Sequence, residues 1–231
     1  MATYSAGIYD SPCLYCKFIS VSYFKVNGLD KAKILAKYVP AEAAPVIARW
    51  IDYYKCDFKV SRGRNTKFGD YRPPYNGDNH RISVNFNLNP YAFLMTTVHE
   101  FAHLQTWNEY QGKAKPHGLE WKSNFKKMMR PFFEKEVFPA DLKGAINLYL
   151  ENPAASSCSD LNLFRALRKY DTGSNGVPVE LLAMKTIFKL KDGRTFRKDE
   201  LLRKRFKCLE LNTRRVYLFS PLAEVFPVKG D

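Results

Sequence analysis

His99 and His103 stand four positions apart in "TTVHEFAHLQTW", with Glu100 directly after the first. On a helix that spacing sets both imidazoles on one face, one turn apart. Two such nitrogens can bind one tetrahedral zinc at about 2.0–2.1 Å. Glu100 follows roughly 100° around the helix, where it need not be a ligand but can reach a water held by the metal. Zinc lowers the pKa of such a water to about 7, and a neighbouring carboxylate can take its proton as it attacks a carbonyl. His-Glu-x-x-His is the arrangement of zinc peptidases, with His99 and His103 as metal ligands and Glu100 as the catalytic base. Two histidines can also lie on a helix without function. With only four in the chain, chance rarely sets two at this spacing around a glutamate.

A third ligand has to come from farther along. The metzincin continuation needs Gly at position 106 and His at 109; Thr106 and Glu109 exclude it. Glu120 could serve as in thermolysin-like enzymes, and His117 could serve from the start of the following helix. We favour His117, because it stands next to Gly118 after a loop long enough to bring it back to the metal.

The elements that must position these residues can be read from pattern. In "HRISVNFNLNP", Ile82, Val84 and Phe86 alternate with Ser83, Asn85 and Asn87, which predicts a strand with one buried face. Asn89-Pro90 then supplies an N-cap and a proline at the first helical position. The helix is expected over about 90–107, with Leu94, Val98, Phe101 and Ala102 as its core stripe. Upstream, "LDKAKILAKYVPAEAAPVIARWIDYY" reads as helix interrupted at Pro40, "FKVSRGRN" as a first strand, and "DYRPPYNGDNH" as loop. Downstream, Trp121, Phe125, Met128 and Phe132 recur at helical intervals, and "DLKGAINLYL" is a shorter helical piece.

"ENPAASSCSD" is the best boundary, with Ser159 or Asp160 able to cap the helix "LNLFRALRKYD". From about Lys185 the pattern turns to short β runs separated by Asp192-Gly193 and Asn212-Thr213 turns. The expected organisation is α+β, with a metal-site domain over 1–155 and a helix plus small basic β subdomain over 156–231.

The chain has 37 Lys plus Arg against 23 Asp plus Glu, a net charge of +14. A surplus of that size favours a polyanionic partner, most often nucleic acid, although a solvated basic surface gives the same composition. Arg194 to Arg215 is dense in basic residues, with Phe196, Leu201 and Phe206 among them. Such a segment could neutralise phosphates, while its aromatics are more often core. Five scattered cysteines do not form a disulfide framework, and the N-terminal stretch lacks a secretory pattern. A cytoplasmic location is therefore expected, compatible with nucleoid association, and no apolar run is long enough for a membrane span.

"HEFAHLQTWNEYQGKAKPHGLEW", preceded by "ISVNFNLNP", resembles the SprT-like zinc metalloprotease family (SprT/Spartan-like). The family pattern is His-Glu-x-x-His, a loop of similar length, then His-Gly-x-x-aromatic, and Trp121 stands at the aromatic position. The resemblance reaches from about Leu29 into the C-terminal β region, and its specific motifs lie between Ile82 and Trp121. It implies a zincin-like fold, zinc on His99, His103 and His117, and Glu100 as general base. It also implies an endopeptidase that cleaves DNA-associated or DNA-crosslinked proteins, with Ile82 to Phe86 as the strand beside which substrate lies.

One departure matters. Relatives often carry a zinc ribbon held by two Cys pairs, whereas here only Cys208 stands in the matching region and Leu211 replaces its partner. One thiolate cannot hold a structural zinc, so packing of Ile187, Phe188, Phe206, Tyr217 and Phe219 is expected to replace it, leaving one zinc per chain. Cys13 and Cys16 lack a second pair and read as small buried residues. His80 reads as a surface or cap residue, and Glu109, Glu134 and Glu136 as solvated charges.

The second function reading is a non-catalytic, zinc-containing nucleic-acid-binding module. Glu100 argues against it, since a structural site needs no base. A zinc ribonuclease using three histidines fits the glutamate and the spacing to His117 poorly.

Overall fold

Proline sets the limits of the first elements in the computed structural model, which describes residues 28–64, 67–154, 160–173 and 176–228. α1 (Gly28–Leu35) and α2 (Ala44–Tyr53) lie on either side of Pro40, whose ring cannot continue a helix. Pro45 falls in the first turn of α2, where the missing N–H costs nothing. α2 turns Val46, Ile47, Ala48 and Ile51 into the core.

Three strands follow: β1 (Asp57–Ser61), β2 (Gly69–Arg72) and β3 (Arg81–Asn85). Their order is β1-β3-β2, with β3 parallel to β1 and antiparallel to β2. Phe58, Ile82 and Val84 are buried, while Lys59, Ser83 and Arg81 occupy the alternate face of the ladder. Two expectations fail here. The segment read as loop from Asp70 contains β2, which forms one edge of the sheet. Phe86 does not share the buried face with Ile82 and Val84; the strand ends at Asn85, and Phe86 is 44% exposed. The chain leaves the ladder there to reach its helix cap. Asn85, expected on the outer side, is buried and accepts from Arg64 Nε at 2.8 Å.

α3 (Pro90–Tyr110) begins as the sequence suggests. The Asn89 side chain accepts from the Tyr91 and Ala92 backbone N–H groups at 3.1 and 2.9 Å. Leu94, Val98, Phe101 and Ala102 are fully buried. The helix runs three residues beyond Trp107 and stops at Gln111, whose left-handed backbone ends it. α4 (Leu119–Glu134) buries Trp121, Phe125, Met128 and Phe132 against the same core, and α5 (Ala140–Glu151) adds Leu142 and Ile146.

α6 (Leu161–Arg168) is capped by Asp160, which accepts from Leu163 N at 2.9 Å. Ser159, Cys158, Cys13 and Cys16 lie outside the described residues. The sequence reading groups this helix with the C-terminal strands, yet Leu163, Ala166 and Leu167 pack into the larger core. Its polar side reaches the other way. Arg165 forms a two-point ion pair with Glu180, at 2.9 and 2.7 Å, and Arg168 donates to the Leu222 carbonyl at 2.8 Å.

The C-terminal strands are β4 (Val177–Pro178), β5 (Ile187–Lys189), β6 (Thr195–Leu202), β7 (Arg205–Glu210), β8 (Val216–Phe219) and β9 (Glu224–Pro227). They form an antiparallel sheet in the order β4-β9-β5-β6-β7-β8. Phe188, Phe196, Cys208, Val179 and Val225 are its buried centre, with Phe206, Tyr217 and Phe219 packed around them. Ile187, expected in that core, is 40% exposed, because β5 alternates and Phe188 takes the inward position. Its place is filled by Phe196, which pairs in register with Phe188 and stacks on it at 5.7 Å. The architecture is α+β, with helices around a mixed three-stranded sheet and a second, antiparallel sheet. Among the described residues no helix is long and apolar enough to cross a membrane.

Candidate metal centre

α3 delivers two of the three convergent side chains, and the turn before α4 delivers the third. The Nε2 atoms of His99 and His103 are 3.2 Å apart, those of His103 and His117 2.9 Å, and those of His117 and His99 3.1 Å. Among the described residues these three form the group that could hold a metal ion; Glu120, the alternative third ligand, is not part of it. Three ligands at about 2.0–2.1 Å from a tetrahedral ion lie roughly 3.3 Å from one another, close to the spacing here. At these distances the Nε2 atoms either hydrogen-bond to one another, according to which ring carries its proton there, or give their lone pairs to a cation between them.

His117 reaches the centre at a conformational cost. Its backbone is left-handed (φ 58°), uncommon for a residue with a side chain. Gly118 follows, and a Cβ there would lie 3.0 Å from the Lys115 carbonyl oxygen that closes this turn. Beneath the cluster Trp121 is fully buried, its ring 4.6 Å from His99, 5.3 Å from His103 and 4.7 Å from His117, with Phe125 stacked below it at 5.1 Å. This aromatic floor keeps water from the ligands on one side. Burial pushes the His99 imidazole down to about 2 and His103 to about 4, and lowers His117 as well. All three are therefore neutral near pH 7, the form that donates to a metal.

Glu100 is buried one residue beyond His99 and turns toward β2. Burial, and secondarily the Asp70 carboxylate, pushes its carboxyl up to about 8, against the opposing pull of Arg64, Lys67 and a Tyr71 backbone N–H. A bound cation would draw that value back down. β2 crosses so closely that a Cβ on Gly69 would collide with Glu100 Oε1 and lie 2.7 Å from Thr96 Cγ2. Only glycine fits there. Gly69, Tyr71, Thr96, Glu100 and the three histidines line one open cavity of about 480 Å³. The three histidines could hold a metal ion, with the Glu100 carboxyl lining the same cavity.

A second layer holds this arrangement, and here sequence reasoning misses residues. Tyr71 lies parallel to the His103 ring at 6.3 Å, and its hydroxyl is 3.0 Å from His80 Nδ1. His80 in turn packs edge-on against Trp107 at 5.2 Å. It is buried and braces the site, not a surface or cap residue as expected. Neither Gly69 nor Tyr71 carries a signal in a stretch rich in Pro, Gly and Asn. Asn124 on α4 donates to Thr106 Oγ1 at 3.1 Å and to Glu109 Oε2 at 2.7 Å. The two positions that exclude a metzincin thus tie α4 to α3.

The basic C-terminal segment divides in two. Phe196 is fully buried and unable to stack on a base, whereas Arg203, Lys204 and Arg205 are exposed at the β6–β7 turn beside Leu201 and Leu202. No protein-family model, curated protein or solved structure matches the chain.

Proposed function

We propose that this chain is a zinc-dependent endopeptidase of the SprT-like type, acting on proteins associated with or crosslinked to DNA. The observation that carries the reading is a buried carboxylate, Glu100, set directly beside three convergent imidazoles in an open cavity. A structural metal site has no use for such a base. The fold that goes with this reading is zincin-like, and the second sheet is a ribbon-like module that has exchanged its cysteines for aromatic packing.

His99, His103 and His117 would hold one zinc, which when bound supplies a polarised water and a Lewis acid for the scissile carbonyl. Glu100 takes the proton of the attacking water and returns it to the leaving amine. Its burial favours proton uptake, and the Tyr71 backbone N–H fixes the carboxylate's direction. β3 is paired on both sides and offers substrate no free backbone, so the strand beside the cleft is β2, the sheet's edge next to Glu100. An extended polypeptide can add to that edge by backbone hydrogen bonds. The net charge of +14 and the exposed Arg203, Lys204 and Arg205 support a nucleic-acid partner that brings enzyme and protein substrate together.

The test is cleavage of a DNA-bound basic protein, with and without single-stranded DNA, by the zinc-loaded chain and its Glu100→Gln variant. Zinc should be retained in the variant while cleavage falls by a factor of about 10² or more. Equal cleavage by both would sink the mechanism. Nucleic-acid binding by a chain that cleaves nothing would favour the alternative, a non-catalytic zinc-containing nucleic-acid-binding module.

A further inference from the structure

The cavity over the histidines continues past them. Phe68, the residue before β2, lines that cavity and also a second groove of about 710 Å³ running between α6 and the turn after β3. Phe86 and Phe164 line this groove too, and neither they nor Phe68 belongs to either hydrophobic core. Three aromatic side chains thus gather in a groove outside the two cores of the described residues. Phe86 is 44% exposed, although Val84 and Asn85 just before it are buried.

The charges in the groove are largely engaged within the fold. Lys191 pairs with Glu224 at 3.2 Å, Arg168 donates to the Leu222 carbonyl at 2.8 Å, and Asp171 accepts from Asn89 at 2.6 Å. Such a surface offers a phosphate backbone little and an apolar side chain a good deal. Its position is equally specific. A strand added to the edge of β2 runs along Tyr71, Asp70 and Gly69 to Phe68, and at about 3.3 Å per residue it enters the groove within a few residues of the scissile bond.

We propose that this groove is a specificity subsite: it receives the extended polypeptide substrate on the Phe68 side of the scissile bond and selects a bulky apolar side chain there, seated against Phe86 and Phe164. The inference rests on the peptidase reading and adds to it the chemical class of sequence that is cleaved.

Binding to the zinc-loaded Glu100→Gln protein tests it without requiring turnover. Fluorescent extended peptides that span the metal and the groove, differing only as Phe against Ala at the groove position, are compared by anisotropy. The Phe peptide should bind about tenfold more tightly. Adding Phe86→Ala should bring that ratio close to one with zinc content and melting temperature unchanged, and Phe86→Tyr should keep it. A ratio of one in the Glu100→Gln protein, or a tenfold ratio that survives Phe86→Ala, overturns the subsite. Selective binding that depends on Phe86, in a chain whose unsubstituted form cleaves nothing, would overturn the peptidase reading and leave the subsite standing.

Discussion

The two regions of the molecule solve the problem of a polar interior in opposite ways. Around α3 and α4, three imidazoles and a carboxylate are drawn into one cavity, and aromatic rings surround them without pairing their nitrogens. In the C-terminal sheet the described interior holds one thiol, Cys208, one ammonium, Lys198, and one carboxylate, Glu210, which accepts from the Thr213 hydroxyl, around Phe188, Phe196 and Val225. Lys198 Nζ donates to the Leu182 and Glu180 carbonyls at 2.6 and 3.3 Å and sits 4.1 Å from the Phe206 ring centre. Its cation is already satisfied by the fold, and burial pushes the Cys208 thiol up to about 11, far from the thiolate a metal needs. The first region brings together a group that could hold an ion; among the described residues the second brings together none.

Substitutions can break this contrast, and the largest effect is expected in the second sheet. Phe196→Ala removes its central ring and should cost about 3–5 kcal/mol in that region's stability, read by denaturant titration with tyrosine fluorescence or circular dichroism. Zinc content should not change; a variant that loses zinc would mean the two regions are not independent in this respect.

Stripping the metal is the reciprocal experiment. Trp50, Trp107 and Trp121 all lie in the first region, so tryptophan fluorescence follows that region alone. At a free-metal concentration about a thousandfold above Kd the ion contributes about 4 kcal/mol, and a chelator should lower the tryptophan-detected melting temperature accordingly. The transition of the β region should stay in place. An unshifted tryptophan signal would contradict a metal bound above Trp121.

Gly69→Ala sharpens the comparison within the first region. The added methyl meets Glu100 and Thr96, so about 1–3 kcal/mol of stability should be lost and cleavage should fall through displacement of the base. Wild-type turnover in this variant would show that the close crossing of β2 is not needed. The smallest effect belongs to Cys208→Ser, which places a hydroxyl in an apolar centre and should cost about 1–3 kcal/mol, nearest the low end if the Phe206 carbonyl accepts from it. Its zinc content should equal that of the unsubstituted chain.

What could be read from sequence follows the reach of each signal. His99, Glu100 and His103 sit within one helical turn, so spacing alone places them together, and the Asn89-Pro90 start gives that helix its beginning. His117 is legible because it stands beside Gly118 just before the next helix, although the structure places it in the turn ahead of α4 and not in the helix itself. β2 is not legible: four residues at a sheet edge, beginning with Gly69 and followed by two prolines, show no alternation. The need for glycine at position 69 exists only once β2 lies over Glu100. His80 is missed for the same reason, since its partner Tyr71 belongs to that strand. Phe86 and Ile187 mislead differently. Both extend an apolar pattern, but the buried face is set by where the ladder ends and which residue pairs across it, Phe188 with Phe196.

Elemental analysis of the intact purified chain and of its His103→Ala variant tests the central claim most directly. The expected result is one zinc per chain in the first and none in the second, with the C-terminal sheet folded in both. Two zinc ions per chain, or an equal content in chain and variant, would contradict a single centre at His99, His103 and His117.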